Sequence, residues 1–265
     1  MKKKKKAEAD DPRLTFQDRF RFRCHPGVKC FTTCCADVTI FLTPYDVLRL
    51  KNRLKITSGQ FLERYTHLLS KGQQIIPLIV LKMSDNELKT CPFVTSDGCT
   101  VYSDRPWACR MFPLDVDPEE KFSVMASPDR CFGLKEDQEM RVIEWLEDQG
   151  VIDYQRANNY YSEITSHPRL KDLDVTNEQI RQMVYLAAYD LDRFRDFVLN
   201  SRFLDMFQFD EDFREQIRVD DTDLLKLGLD WIKFGLFGQK TLKVKPEVLE
   251  MKKRGQARPD LDPSS

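Results

Sequence analysis

Eight cysteines, all between positions 24 and 131 of a 265-residue chain, are the residues best equipped for chemistry. Cys24, Cys30, Cys34 and Cys35 fall together in RCHPGVKCFTTCC; Cys91, Cys99 and Cys109 follow in TCPFVTSDGCTVYSDRPWACRMFP, and Cys131 stands further on. Thiolates are soft ligands that select zinc, iron–sulfur clusters or copper(I), and eight of them suffice for two four-thiolate sites. The spacing C-x5-C-x3-C-C, then C-x7-C-x9-C, is neither the paired C-x2-C of zinc ribbons nor the C-x2-C-x2-C of common ferredoxins. Neighbouring side chains point apart, so Cys34 and Cys35 do not easily share one mononuclear centre. A multinuclear cluster, two sites, or a packing role for one of the pair each meets that constraint. The irregular spacing favours an iron–sulfur cluster over paired zinc knuckles.

Charge and compartment narrow the chemistry. The five lysines Lys2–Lys6 are followed by no apolar run, so neither a secretory signal nor a membrane anchor is expected, and the expected address is the cytoplasm. In that reducing compartment dense cysteines serve as metal ligands or redox groups more often than as disulfides, and a chain of this length needs no covalent staples. Thiol redox chemistry and buried packing are the two other roles open to them. A formal charge of −1 argues against a globally basic nucleic-acid binder, no membrane partner is expected, and a protein partner or substrate is left unnamed. Arg23, Lys29, Arg110 and Arg130 flank cysteines, where cations lower thiol pKa and offset the negative charge of a four-thiolate site. Of the three histidines, His25 beside Cys24 is an alternative ligand, while His67 and His167 read as surface or cap residues. No Gly-rich phosphate loop, Ser-His-Asp order or HExxH is present.

Positioning these thiols requires turns and short elements. Phe16, Phe20 and Phe22 alternate with basic residues, the pattern of a half-buried strand leading into Cys24, and Pro26-Gly27 forces a turn before Cys30. Val38–Leu42 reads as a strand that stops at Thr43, where Pro44 and Asp46 complete the start of a helix with Val47, Leu50 and Leu54 on its apolar face. Thr57 and Gln60 have capping-box spacing for a second helix that turns Phe61, Leu62 and Tyr65 inward. Ile75–Leu81, broken by Pro77, reads as an edge strand. Asp97-Gly98 is a turn signal that folds Cys99 back toward Cys91, Pro106 opens a short helix carrying Cys109, and Phe122–Met125 reads as a strand. Beyond Gly133 the chain is cysteine-free. Thr176 and Gln179 have capping-box spacing before a stripe running from Ile180 to Val198, and Asp221–Gly238 reads as a further helix.

At these residues the chain resembles a known family. Cys30-x3-Cys34-Cys35, then LTPYDVLRL, then CPF…GC…Y…RP..CR.FP, resemble the YkgJ-type cysteine-cluster proteins, described as zinc- or iron-chelating. The resemblance covers about Phe20 to Gly133 and matches Cys30, Cys34 and Cys35 more closely than Cys24. The family includes flagellin lysine methylases, so it implies metal chelation and, by analogy, an enzymatic role.

The expected architecture is α+β: a basic tail over 1–14, a small mixed cysteine-cluster domain of short strands and helices over 15–133, a mainly α-helical region over 134–240 and a frayed end over 241–265. The leading function is a metal-binding protein holding zinc or an iron–sulfur cluster through Cys24, Cys30, Cys34, Cys35, Cys91, Cys99, Cys109 and Cys131. The alternatives are a cluster-dependent protein-modifying enzyme, methyltransferase-like, and a structural zinc module that presents the helical region to a partner.

Overall fold

The computed structural model describes residues 13–69 and 74–253, so the tail expected over 1–14 lies almost wholly outside the described residues. Its elements are mixed α and β. Short strands form small antiparallel sheets: β1 (Arg19–Arg21) pairs with β9 (Glu139–Arg141), β5 (Val94–Thr95) with β6 (Gly98–Cys99), and β7 (Leu114–Val116) with β8 (Phe122–Val124). A three-stranded sheet runs in the order β2 (Phe41–Leu42), β4 (Ile79–Leu81), β3 (Thr66–Leu68). The strand expected at an edge is therefore central. Pro77 lies before β4, so its missing N–H takes nothing from either ladder.

Helix starts follow the caps. In α1 (Pro44–Leu54) the Thr43 hydroxyl accepts from the Asp46 N–H while the Asp46 carboxylate accepts from the Thr43 N–H, and α2 (Ser58–Tyr65) repeats this with Thr57 and Gln60. α3 (Trp107–Met111), α4 (Val142–Asp148) and α5 (Val151–Thr165) follow. The stripe from Ile180 to Val198 is split between α6 (Glu178–Ala188) and α7 (Leu191–Asn200), and α6 is capped by Asn177 rather than Thr176. The asparagine amide oxygen accepts from the Ile180 N–H, whereas the Thr176 hydroxyl is engaged by Asp174. Short α8 (Phe203–Met206) and α9 (Glu211–Val219) lead to α10 (Asp221–Phe237), which ends at Gly238. Where composition suggests a frayed end after Lys240, Val244 bridges to Phe207, Leu242 is buried, and α11 spans Pro246–Lys253.

Two cores hold these elements, and neither stops at Gly133. The larger gathers Leu42, Leu50 and Phe61 from the first half with Val184, Phe194 and Trp231 from the second. The smaller packs Phe20, Phe22 and Met111 against Val142, Trp145 and Leu146. Among the described residues, no helix is long and apolar enough to cross a membrane.

Candidate metal centre

The first cysteine block is a chain of tight turns, because its backbone N–H groups bond to carbonyls only three residues back: Phe31 to Val28, Thr33 to Cys30 and Cys35 to Thr32. Thr32 takes a left-handed φ of 66°, which turns the chain into a 3-10 turn over Thr33–Cys35. The entry to this block is pinned from far along the sequence. The Arg23 N–H donates to the Gly133 carbonyl at 2.9 Å, and a Cβ on Gly133 would lie 2.8 Å from the Arg23 carbonyl oxygen, so only glycine allows this approach. Beside it the Phe132 N–H donates to the Cys30 sulfur at 3.1 Å, which sets Cys131 against the first block.

His25 is occupied elsewhere. Its Nδ1 accepts from the Gly27 N–H at 3.1 Å, which leaves the ring proton on Nε2, 3.2 Å from the Glu136 carboxylate. Both nitrogens are spent, so this arrangement offers no imidazole to a metal.

The second block joins the first at its other end. The Cys91 N–H donates to the Cys35 carbonyl at 2.7 Å, and Ala36 bridges to Thr90. Cys99 pairs with Val94 in the β5–β6 hairpin, whose turn residues are Ser96 and Asp97, and Cys91 lies just before β5, its carbonyl accepting from the Val94 N–H at 3.1 Å. Helix α3 brings in Cys109 and is fixed at its start by Asp46, which is fully buried and accepts from the Trp107 N–H at 2.8 Å. Burial raises the Asp46 carboxyl to about 6 against the bonds that Thr43 and Trp107 donate to it. The carboxylate that starts α1 thus also anchors the cysteine helix. Sequence reasoning assigned it only the first of these roles.

The sulfurs feel one another in two sets. Burial pushes Cys24 up to about 11, reinforced by the sulfurs of Cys34, Cys30 and Cys131, and Cys131 is raised by burial and by Cys30. Burial pushes Cys109 up to about 12, with Cys91, Asp46 and Cys99 adding to it, while Cys91 is raised by burial and by Cys99. Cys34 and Cys35 join the sets. The Cys35 thiol hydrogen-bonds to Cys34 and lowers it to about 7, while Cys35 itself is raised, first by that bond, then by burial and by Cys34, Cys91 and Cys109. Cys24 thus lies among Cys30, Cys34 and Cys131, and Cys109 among Cys91 and Cys99, while the strongest coupling, Cys34 with Cys35, links the two neighbourhoods. Nearby backbone N–H groups, of Phe93 and Val94 at Cys91 and of Gly133 and Leu134 at Cys131, work against the burial that raises these two thiols. Among the described residues, no three His, Cys, Asp or Glu side chains converge closely enough, as they stand, to hold a metal ion.

The expected cation at Arg110 does not face the thiols. Its guanidinium is buried against the carbonyls of Arg105, Gln149 and Ser103, and stacks 4.2 Å from the Tyr154 ring. The positive charge that acts on Cys109 belongs to Arg105, held by the Tyr102 carbonyl and lying 3.8 Å from the Tyr102 ring. Sequence reasoning passed over Arg105 because it looked only at neighbours of cysteine, although Arg105-Pro106 lies inside the second motif.

No curated protein and no solved structure matches the chain. Residues 23–132, the stretch that holds all eight thiols, match the model of the CxxCxxCC family, described as "Putative zinc- or iron-chelating domain".

Proposed function

We propose that this protein holds zinc or an iron–sulfur cluster through its cysteine thiolates. The observation that carries the reading is that the fold brings together cysteine segments distant in sequence, through the Cys91–Cys35 backbone bond and the Phe132 N–H that donates to the Cys30 sulfur. Thiols that are close raise one another's pKa when bare, and a cation reverses the sign of that interaction. Rotation about χ1 moves each sulfur between staggered positions, the adjustment that drawing four of them to one point requires. Zinc held by four thiolates is a cross-link without redox chemistry, whereas an iron–sulfur cluster also carries electrons. The adjacent Cys34 and Cys35 are met as well by two sites as by one multinuclear cluster, and four thiolates suit either metal form.

The likeness to YkgJ-type proteins supports chelation. No residue of this chain is assigned to methyl transfer. The packing of Cys91, Cys99 and Cys109 against the larger core favours a structural part for the metal, since that core includes the helices beyond Gly133.

Elemental analysis of protein prepared without oxygen tests the reading. Stoichiometric zinc, or iron with sulfide and a brown colour that bleaches in air, is expected, with less metal in Cys34→Ser and Cys109→Ser. Metal-free protein from such a preparation, unable to take up zinc or to be reconstituted with iron and sulfide, overturns it.

A further inference from the structure

We infer that the thiols form two separate four-cysteine centres, an outer exchangeable one from Cys24, Cys30, Cys34 and Cys131 and an inner retained one from Cys35, Cys91, Cys99 and Cys109. The inference rests on the metal reading above.

Backbone geometry supports the division. The outer set is drawn together by the Arg23–Gly133 and Phe132–Cys30 hydrogen bonds, at 2.9 and 3.1 Å. The inner set is drawn together by the Cys91–Cys35 bond at 2.7 Å, the β5–β6 hairpin and α3. The sets also rest on different cores: Cys91, Cys99 and Cys109 pack against the larger, and Cys131 against the smaller. Cys34 and Cys35 join them, through their peptide and a thiol–thiol hydrogen bond; Cys35 carries the carbonyl that holds Cys91 and goes to the inner set, and Cys34, the more exposed of the two, goes to the outer.

Their settings differ in a way that sets exchange rate. Cys24 and Cys34 are exposed, and of the outer set only Cys131 packs on a core, whereas every member of the inner set is partly buried and three line a core. A chelator reaches exposed ligands by displacing them one at a time, and turns open more readily than core elements. Charge adds to the contrast. A divalent ion in four thiolates leaves a net negative centre, and two such centres one peptide apart repel. The ion lost first relieves that repulsion, and exposure makes the outer one the first to go. The outer centre therefore suits reversible loading, and the inner one holds the fold.

Zinc titration of the reduced full chain, followed by release to a chromogenic chelator, tests this. The wild type should bind two zinc ions and release them in two phases, with rates at least tenfold apart. Cys131→Ser should keep one ion and only the slow phase; Cys109→Ser, or Cys99→Ser if the former does not fold, should keep one ion and only the fast phase. A wild type that binds a single ion, or a folded Cys131→Ser that retains no slowly released ion, overturns the division while leaving metal binding intact. A wild type that binds no zinc and cannot be reconstituted with iron and sulfide overturns the metal reading itself.

Discussion

Cys24 and Cys109 carry the electrostatic cost of bringing thiols together. Cys24, although exposed as a residue, and the partly buried Cys109 are raised above the ordinary thiol value to about 11 and about 12, first by loss of solvent around the sulfur and then by neighbouring sulfurs. A thiol raised in the folded state favours the protonated form there. Its contribution to stability is therefore fully present below about pH 9 and is lost as pH rises through the folded value. Reduced, metal-free protein should show a lower urea midpoint at pH 10.5 than at pH 8, and Cys24→Ser should shrink that fall. An unchanged slope in the variant would mean that Cys24 does not meet its neighbours. The same protons compete with metal, so loading should weaken as pH falls. The eight candidate ligands were legible from type and clustering alone. The division proposed for them is not, because it rests on the Cys35–Cys91 and Cys30–Phe132 contacts, and no local spacing encodes a pairing across 56 or 102 residues.

Elements with strong local signals were readable, and those decided by packing were not. Thr43 and Thr57 announce α1 and α2 because the capping box is written in four consecutive residues. The stripe from Ile180 to Val198 has unbroken apolar character, yet the chain turns at Tyr189 and Asp190, where the Asp190 carboxylate accepts from the buried Ser58 hydroxyl at 2.7 Å. That partner lies 132 residues away, beyond the reach of periodicity. The approach of α10 to α6 is a second such case. A Cβ on Gly228 would fall 2.2 Å from the Ala187 carbonyl oxygen, a backbone atom that cannot swing aside. Gly228→Ala gains helix propensity but forces the two helices apart, and the overpacking should win, with a net loss of about 1–3 kcal/mol. Chemical denaturation measures it; a stability equal to wild type would show that α10 does not pack this closely on α6.

Across the whole molecule, the cysteine-bearing segment and the later helices share their interior. Phe61 and Trp231 belong to one core and Phe22 and Trp145 to another, so both cores draw residues from either side of the composition change at Gly133. Metal bound at the inner thiols would thus be felt by α6, α7 and α10 through packing. That coupling depends on which sulfurs hold the ion. X-ray absorption at the metal edge of the loaded protein addresses this most directly. A first shell made of sulfur alone, near 2.3 Å if the metal is zinc, is the predicted result. A first shell containing nitrogen or oxygen, or loaded protein in which all eight thiols still alkylate freely, would contradict it.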